Sequence, residues 1–167
     1  MHNLSHKVFT AVLVLCLAQA AYYYPLLPDR VASHFGASGK PDAWSDKNTF
    51  MTIYLGAVAF SAALFALIGP VLRRTPDSLI NLPHKHYWLA PERRAETMDL
   101  LSRRFLWFAS ATLLLLFDIF HQTFQVHLGR AQALDHPVAS VAVYCTVSLL
   151  WTIGLIVTFR RPDDERS

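Results

Sequence analysis

The sequence predicts an all-α integral membrane protein, a four-helix bundle with an ordered extracytoplasmic loop. The predicted spans lie at about residues 8–24, 50–72, 105–126 and 139–159, where four apolar blocks carry most of the hydrophobic residues. Each block has about 17 to 23 residues, and about 20 helical residues cross a hydrocarbon layer of about 30 Å. The length of 167 residues favours one membrane domain, residues 1–167.

The apolar blocks lack the polar face that helices of a soluble bundle show with a period near 3.6 residues. Residues 113–117 read Leu-Leu-Leu-Leu-Phe, and the polar residues between Ile53 and Ile68 are Tyr54 and Ser61 alone. The pattern therefore favours helices that face lipid over buried helices of a soluble bundle.

Lysine and arginine predict the orientation, because both are enriched in cytoplasmic segments. The N-terminus, residues 73–104 and the tail after Phe159 carry eleven of them, and the other side carries four. The eleven are Lys7, Arg73, Arg74, Lys85, Arg93, Arg94, Arg103, Arg104, Arg160, Arg161 and Arg166; the four are Arg30, Lys40, Lys47 and Arg130. Both termini and the loop of residues 73–104 are therefore predicted to be cytoplasmic. The net charge of +3 then reflects topology and attraction to the lipid bilayer, and no nucleic-acid partner is expected.

The first apolar block has a second interpretation as a signal peptide. Lys7 precedes it, and the Ala-Gln-Ala sequence at residues 18–20 resembles a signal-peptidase site. The apolar run continues past this site into three tyrosines at residues 22–24, and tyrosines there are typical of a membrane interface. We therefore expect residues 1–20 to be retained as part of a span.

Residues 25–49 form a polar segment that is rich in turn formers. Pro25 lacks an amide proton and ends the first helix. The Pro-Asp pairs at 28–29 and 41–42 favour turns, in which each aspartate accepts from an amide two or three residues ahead. Asn48 or Thr49 is the expected N-cap of the second span. Loops of this length are often functional, so a tight structural loop and a ligand-binding loop both remain open.

This segment carries a resemblance to a known family. The residues that match its pattern, and that we take as candidate binding residues, are Pro28, Asp29, His34, Gly39, Pro41, Asp42, Trp44 and Lys47. The pattern resembles the bacterial membrane family called domain of unknown function 1648 (DUF1648), which also forms the N-terminal part of SdpI-type immunity proteins. Residues 81–94 also look like short stand-alone members. The resemblance implies a bacterial inner-membrane protein that keeps its first span, and it implies no reaction. The chain has four spans where the immunity proteins are longer, so an immunity role does not follow.

Asp118 and His121 are the polar residues within the third span that stand out. They lie three residues apart and so share one helix face, and a charged aspartate inside a span usually has a partner. Three interpretations stay open: a hydrogen bond that ties the outer loop to the bundle, a proton or solute pathway, and a metal site of His34, Asp118 and His121. We expect His34 to meet the other two, because it is the ionisable residue near the middle of the loop above them.

The function predicted from these features is a non-enzymatic binding or sensing module, immunity-like in type, at the extracytoplasmic face. The alternative is a small transporter or metal-handling membrane enzyme centred on Asp118 and His121. The sequence has no H-E-x-x-H helix, no G-x-S-x-G elbow and no phosphate-binding glycine loop, so no catalytic residue and no cofactor are predicted, apart from the weak metal candidates. A membrane protein, a cytoplasmic protein and a second copy of the chain all remain open as partners.

Overall fold

The computed structural model describes residues 2–160, with side chains from residue 4 onward. Helix α1 spans His2–Tyr23 and ends in a 3-10 turn at Tyr24–Leu26. Two strands follow, β1 at Arg30–Phe35 and β2 at Pro41–Asp46. Helix α2 spans Lys47–Arg74, and a second 3-10 turn covers Asp77–Leu79. The short helix α3 is Lys85–Trp88, α4 is Arg94–His127, and α5 is Pro137–Thr158.

Four of these helices are long and apolar enough to cross a membrane, at Leu4–Leu26, Lys47–Arg74, Arg94–His127 and Pro137–Thr158. The prediction of an all-α membrane bundle is confirmed, and the chain is a multi-pass membrane protein. The loops divide the bundle into two ends. We call the end with residues 24–46 and 128–136 the hairpin end, and the end with residues 73–93 the arginine end.

The helices α1 and α2 both pack against α4 around one hydrophobic core. Cys16 of α1, Val58 of α2 and Leu113 of α4 lie at its centre and are almost fully buried. A polar bridge crosses the same core: the hydroxyl of Tyr54 donates to Oε1 of Gln19 at 2.6 Å, and Nε2 of Gln19 donates to the carbonyl of Phe117 at 3.1 Å. These bonds satisfy polar groups that would be costly to bury alone.

Helix α5 is attached differently, because none of its residues is buried. It packs mainly on α4, where the Trp151 indole donates to the carbonyl of Arg104 at 2.9 Å and its ring lies against Phe108. The Tyr144 and Thr112 hydroxyls lie 3.0 Å apart nearer the hairpin end. Polar ties and a few aromatic contacts therefore fasten α5 to the bundle.

The start of α2 differs from the expectation. The helix begins at Lys47, and its N-cap is Asp46 rather than Asn48 or Thr49. The Asp46 carboxylate accepts from the amide of Thr49 at 2.9 Å and from its hydroxyl at 2.7 Å. These hydrogen bonds, the amide first, hold the pKa of Asp46 below its ordinary value of 3.8.

The third spanning helix, α4, is longer than the predicted span of residues 105–126. It begins at Arg94, about three turns before the predicted span, because residues 94–127 contain no glycine or proline to interrupt it. Its first turn is tied to the end of α2: the Arg94 guanidinium donates to the carbonyl of Thr75 and to Asp77, each at 2.8 Å.

Candidate functional site

The loop of residues 25–49 is ordered, as predicted, but it contains an antiparallel β-hairpin, which the sequence analysis did not predict. Arg30 pairs with Asp46, Val31 with Ser45 and Ala32 with Trp44, and irregularities on either side of His34 shift the register. Val31 and Ala32 of β1 are fully buried, whereas Trp44 of β2 is 52% exposed. Strand β1 therefore lies against the bundle, and β2, which has no buried residue, is the more exposed strand.

Several family-pattern residues hold this hairpin together. His34 Nδ1 lies 2.5 Å from Oδ1 of Asp42 across the two strands. At the base, Lys47 Nζ lies 3.0 Å from Oδ1 of Asp29, and the Lys47 amide donates to the carbonyl of Asp29 at 3.0 Å. The expected turns at Asp29 and Asp42 are thus replaced by side-chain pairs with a lysine and a histidine. Pro28 precedes β1, and Pro41 begins β2.

The tip of the hairpin docks on the loop between α4 and α5. Gly39 has φ +74, a conformation that glycine adopts without strain. Its carbonyl accepts from the amide of Leu134 at 2.9 Å, and a Cβ at Gly39 would lie 3.3 Å from the Leu134 carbonyl oxygen. Further back along β1, the carbonyl of Ala32 lies 3.0 Å from Nε2 of His127, at the end of α4. The hairpin is therefore fixed to α4 and to the loop that follows it.

An aromatic layer lies below the hairpin. The rings of Tyr23 and Phe124 stack at 4.4 Å between centroids, those of Tyr54 and Phe120 stack at 4.2 Å, and Phe50 packs edge-on against Phe124. The layer joins α1, α2 and α4, and Val31 of β1 packs in the same buried cluster.

His121 belongs to this side of α4. Its Nδ1 lies 3.4 Å from the hydroxyl of Tyr23, which also accepts from Nε2 of Gln125 at 2.9 Å. The imidazole therefore takes part in a hydrogen-bonded group between α1 and α4.

Asp118 faces α5 instead. Its Oδ2 accepts from the Ser140 hydroxyl at 2.5 Å and from Nε2 of Gln122 at 2.8 Å. Its Oδ1 lies 3.8 Å from Nε2 of His136. Oε1 of Gln122 also accepts from the amide of His136 at 3.0 Å, immediately before α5 begins. We call Asp118, Gln122, His136 and Ser140 the seam cluster.

The structure does not bring His34, Asp118 and His121 together, so the prediction that His34 meets this pair is wrong. His34 pairs with Asp42 across the hairpin, and its side chain is 69% exposed. Residues three apart on a helix lie about 60° apart around its axis, and this angle directs Asp118 to α5 and His121 to α1. Within residues 2–160, no group of three histidine, cysteine or acidic side chains is placed to hold a metal ion.

A groove runs from the seam cluster down between α4 and α5. Its volume is about 360 Å³. Asp118 and His136 lie at one end, Ala111 and Val147 at the other, and apolar side chains line most of its walls. The wall residues Leu114, Val143 and Val147 are 46%, 65% and 40% exposed, so the groove is open along its side.

Asp118 was predicted from the sequence, but Ser140 and Leu134 were not, because their roles depend on how α5 is placed. One available signal was the Gln122 side chain, four residues after Asp118 and therefore on the same helix face. The hairpin also had a signal, since two short segments with apolar residues flank Gly36-Ala37-Ser38-Gly39.

The family model described as "Domain of unknown function (DUF1648)" matches residues 11–58. No curated protein and no solved structure is significantly similar to the chain. The matched residues comprise most of α1, the whole hairpin and the first part of α2. The match ends at Val58, which is the last buried residue of α2. The resemblance seen in the sequence is thus confirmed for this segment, which matches the domain of unknown function DUF1648.

Proposed function

We propose that this protein is a non-enzymatic membrane module that binds an amphiphilic ligand at its hairpin end, and that this end faces away from the cytoplasm. The seam cluster and the groove form the binding site. The hairpin responds to the occupied site because its tip is bound to the loop that carries His136.

One observation carries the proposal: the carboxylate of Asp118 and the imidazole of His136 lie at one end of a groove that is otherwise mostly apolar, and the hydroxyl of Tyr144 further along is already paired with Thr112. An amphiphile has the same division between a polar head and an apolar body. Asp118 and His136 would contact the head, and the walls formed by Leu114 and Val143 would contact the body. Pockets of this kind, mostly apolar with a few converging polar groups, are typical of ligand sites.

The link to the hairpin rests on a short chain of contacts. The side chain of Gln122 bonds both Asp118 and the amide of His136, and Leu134, two residues earlier, bonds Gly39. A ligand that fixes His136 would also restrict residues 128–136, and with them the hairpin tip. The family-pattern residues would then stabilise the hairpin, which is the part of the protein that responds to ligand binding.

Hydrogen exchange tests this coupling. The protein in detergent micelles is compared before and after addition of a mixture of phosphatidylethanolamine, phosphatidylglycerol and cardiolipin. We expect slower exchange in residues 36–41 and 128–136, and unchanged exchange in residues 77–93 at the arginine end, which serve as the internal control. Equal effects at both ends, or none, would count against a site at the hairpin end.

A variant shows whether the hairpin takes part. Gly39→Val places a side chain against Leu134 and should separate the tip from the loop. Lipid should then slow exchange in residues 128–136 but no longer in residues 36–41. If both segments still respond together, the tip contact does not carry the coupling.

The orientation rests on the eleven-to-four distribution of lysine and arginine. Reporter domains inserted near Thr75 and fused after Ser167 should be active only in the cytoplasm. A reporter inserted at Ser38, at the hairpin tip, should be active only outside it. The opposite pattern would reverse the proposed orientation.

The alternative of a transporter or metal-handling enzyme centred on Asp118 and His121 has less support. These side chains bond different helices, α5 and α1 respectively. The metal content of the purified protein tests this alternative: about one equivalent of bound metal, lost in Asp118→Asn, would favour it over an amphiphile site.

A further inference from the structure

We infer that the ligand of the α4–α5 groove is a phospholipid with a primary ammonium headgroup, drawn from the leaflet at the hairpin end. The ammonium would pair with Asp118, and one acyl chain would lie along the groove. This inference rests on the proposed function and names its ligand class.

The first reason is that Asp118 lacks a cationic partner of its own. Its Oδ2 receives two hydrogen bonds, both from neutral donors, Ser140 and Gln122. Within the described residues, the one basic group within 4.0 Å is His136, at 3.8 Å from Oδ1, and histidine is charged only when protonated. Charged groups in membrane segments are usually paired. A cation supplied by the ligand would complete the pair.

The depth of the carboxylate agrees with a headgroup. Ser140 is three residues into α5, so the Ser140–Asp118 contact lies about 4.5 Å along that helix from its start. The 22 residues of α5 extend about 33 Å, close to the thickness of the hydrocarbon layer. Asp118 therefore lies near the level where hydrocarbon meets the headgroups, despite its position well inside α4.

The groove provides space for a chain directly below this point. On α4 the groove runs from Ala111 to Asp118, and on α5 it runs from Ser140 to Val147. Each pair is seven positions apart, which corresponds to about 10 Å along the helix. The open side of the groove lies between spanning helices, and α5 has no other helix against most of its surface. A lipid can therefore enter sideways from the bilayer.

The headgroup preference follows from hydrogen bonding. A primary ammonium has N–H groups that can donate hydrogen bonds to Oδ1 of Asp118. Hydrogen bonds between charged groups are shorter and stronger than those between neutral groups. A choline headgroup carries the same charge but no N–H donor. Phosphatidylethanolamine should therefore bind more tightly than phosphatidylcholine, and phosphatidylglycerol, which has no cation, should bind most weakly.

Native mass spectrometry of the intact protein in detergent provides the test, with these three lipids present at equal concentration and with matched chains. We expect phosphatidylethanolamine to be retained on the order of tenfold more than phosphatidylcholine. Asp118→Asn should remove this preference. Glu92→Gln, which removes an exposed carboxylate at the arginine end, should leave it unchanged.

A second variant separates the headgroup from the chain. Val143→Trp fills the groove at an exposed wall position, so retention of all three lipids should fall together. If Val143→Trp has no effect, the acyl chain does not lie in the groove and the inference is wrong. Thermal melts of each variant establish that it is folded before its lipid binding is compared.

Competition identifies the source of the ammonium. Dodecylamine should displace phosphatidylethanolamine only in large excess, and dodecanol should not displace it. Displacement by both equally would overturn the headgroup assignment, and much tighter binding of dodecylamine would assign the site to a free amine instead.

The hydrogen-exchange experiment separates the two proposals. If mixed lipid protects residues 36–41 and 128–136 but the protein shows no headgroup preference, the ligand class fails while the proposed binding site stands. If no lipid protects them, the proposed function itself fails.

Discussion

The two sides of α4 are built in different ways. Toward α1 and α2, α4 buries large side chains in a close-packed core, where Tyr54, Leu113 and Phe124 are almost fully enclosed. Toward α5, hydrogen bonds and partly exposed aromatic rings make the contact, and no α5 residue is buried. In a close-packed core the side chains have one favoured arrangement. A helix contact that depends on a few hydrogen bonds leaves open space beside those bonds. The comparison explains why the candidate binding groove lies between α4 and α5.

The helical parts of the segment that matches DUF1648 lie on the packed side. Residues 11–58 supply all four buried residues of α2, together with the hairpin. Their packing partner, α4, lies outside the match. The matched segment is thus part of a core that α4 completes, and the groove on the opposite face of α4 is formed without it.

The largest loss of stability is expected when α1 is removed from the packed side. Phe9, Val12, Cys16 and Ala20 all lie in the main core, so a chain without residues 1–20 would expose one wall of that core and should not remain folded. We expect the intact mass of the membrane-extracted protein to include residues 1–20. A mass that begins at Ala21 would show that these residues are removed as a signal peptide.

A pair of tyrosines tests the two sides directly. Tyr54→Ala removes a stacked ring and a hydroxyl that bonds Gln19 on the packed side, and should lower the free energy of unfolding by about 3–5 kcal/mol. Tyr144→Ala removes a half-buried ring whose hydroxyl meets Thr112 on the α5 side, and should cost less than half as much. Unfolding in mixed detergent micelles measures both.

Tyr54→Phe is the control for the hydroxyl, since it keeps the ring and leaves Oε1 of Gln19 without its donor. It should cost about 1–3 kcal/mol. Equal losses for Tyr54→Ala and Tyr144→Ala would mean that the two sides contribute alike, and the contrast between them would no longer hold.

The sequence was sufficient to predict the four helices, because each apolar block is long enough to span a membrane, and two of the four blocks contain neither glycine nor proline. The strands were harder to predict. They are six residues long, and the irregular pairing around His34 interrupts the alternation that identifies a strand. The side-chain pairs of the hairpin, His34 with Asp42 and Lys47 with Asp29, were not predicted.

The candidate site was predictable only in part. Asp118 was singled out because a charge inside a span needs a partner, and the structure gives it neutral partners from α4 and α5. Its partners outside α4, Ser140 and His136, depend on how α5 is rotated and how far it extends, and no local pattern encodes this. The spacing of Asp118 and His121 suggested a joint site, yet a difference of about 60° around α4 was enough to send them to different helices.

Two glycines with similar backbone angles test the contact between the hairpin and the α4–α5 loop. Gly39 and Gly129 have φ of +74 and +67, so alanine costs about 1–2 kcal/mol at either position. A Cβ at Gly39 would also press on Leu134, whereas a Cβ at Gly129 would meet nothing within 4 Å. Gly39→Ala should therefore lower the melting temperature more and should speed hydrogen exchange at Leu134, which Gly129→Ala should not. Equal effects would show that the tip contact adds nothing to stability.

The smallest expected effect concerns the N-cap of α2, on the packed side. Hydrogen bonds from Thr49 depress the pKa of Asp46 below 3.8, so the folded state favours the charged carboxylate. The resulting stabilisation is fully present when the pH is above the ordinary pKa, and it is lost as the pH falls through the lower pKa of the folded state.

Asp46→Asn keeps a capping oxygen but has no charge to titrate. The difference in melting temperature between the two proteins should therefore be small at pH 6 and should shrink when the pH is lowered to 2, well below 3.8, and comparing the pair cancels the titration of every other carboxylate. Because Asp46 is exposed, 1 M salt should reduce the difference at pH 6 as well. A difference that stays the same at both pH values would mean that the charge of Asp46 does not stabilise the start of α2, and that the cap acts through hydrogen-bond geometry alone.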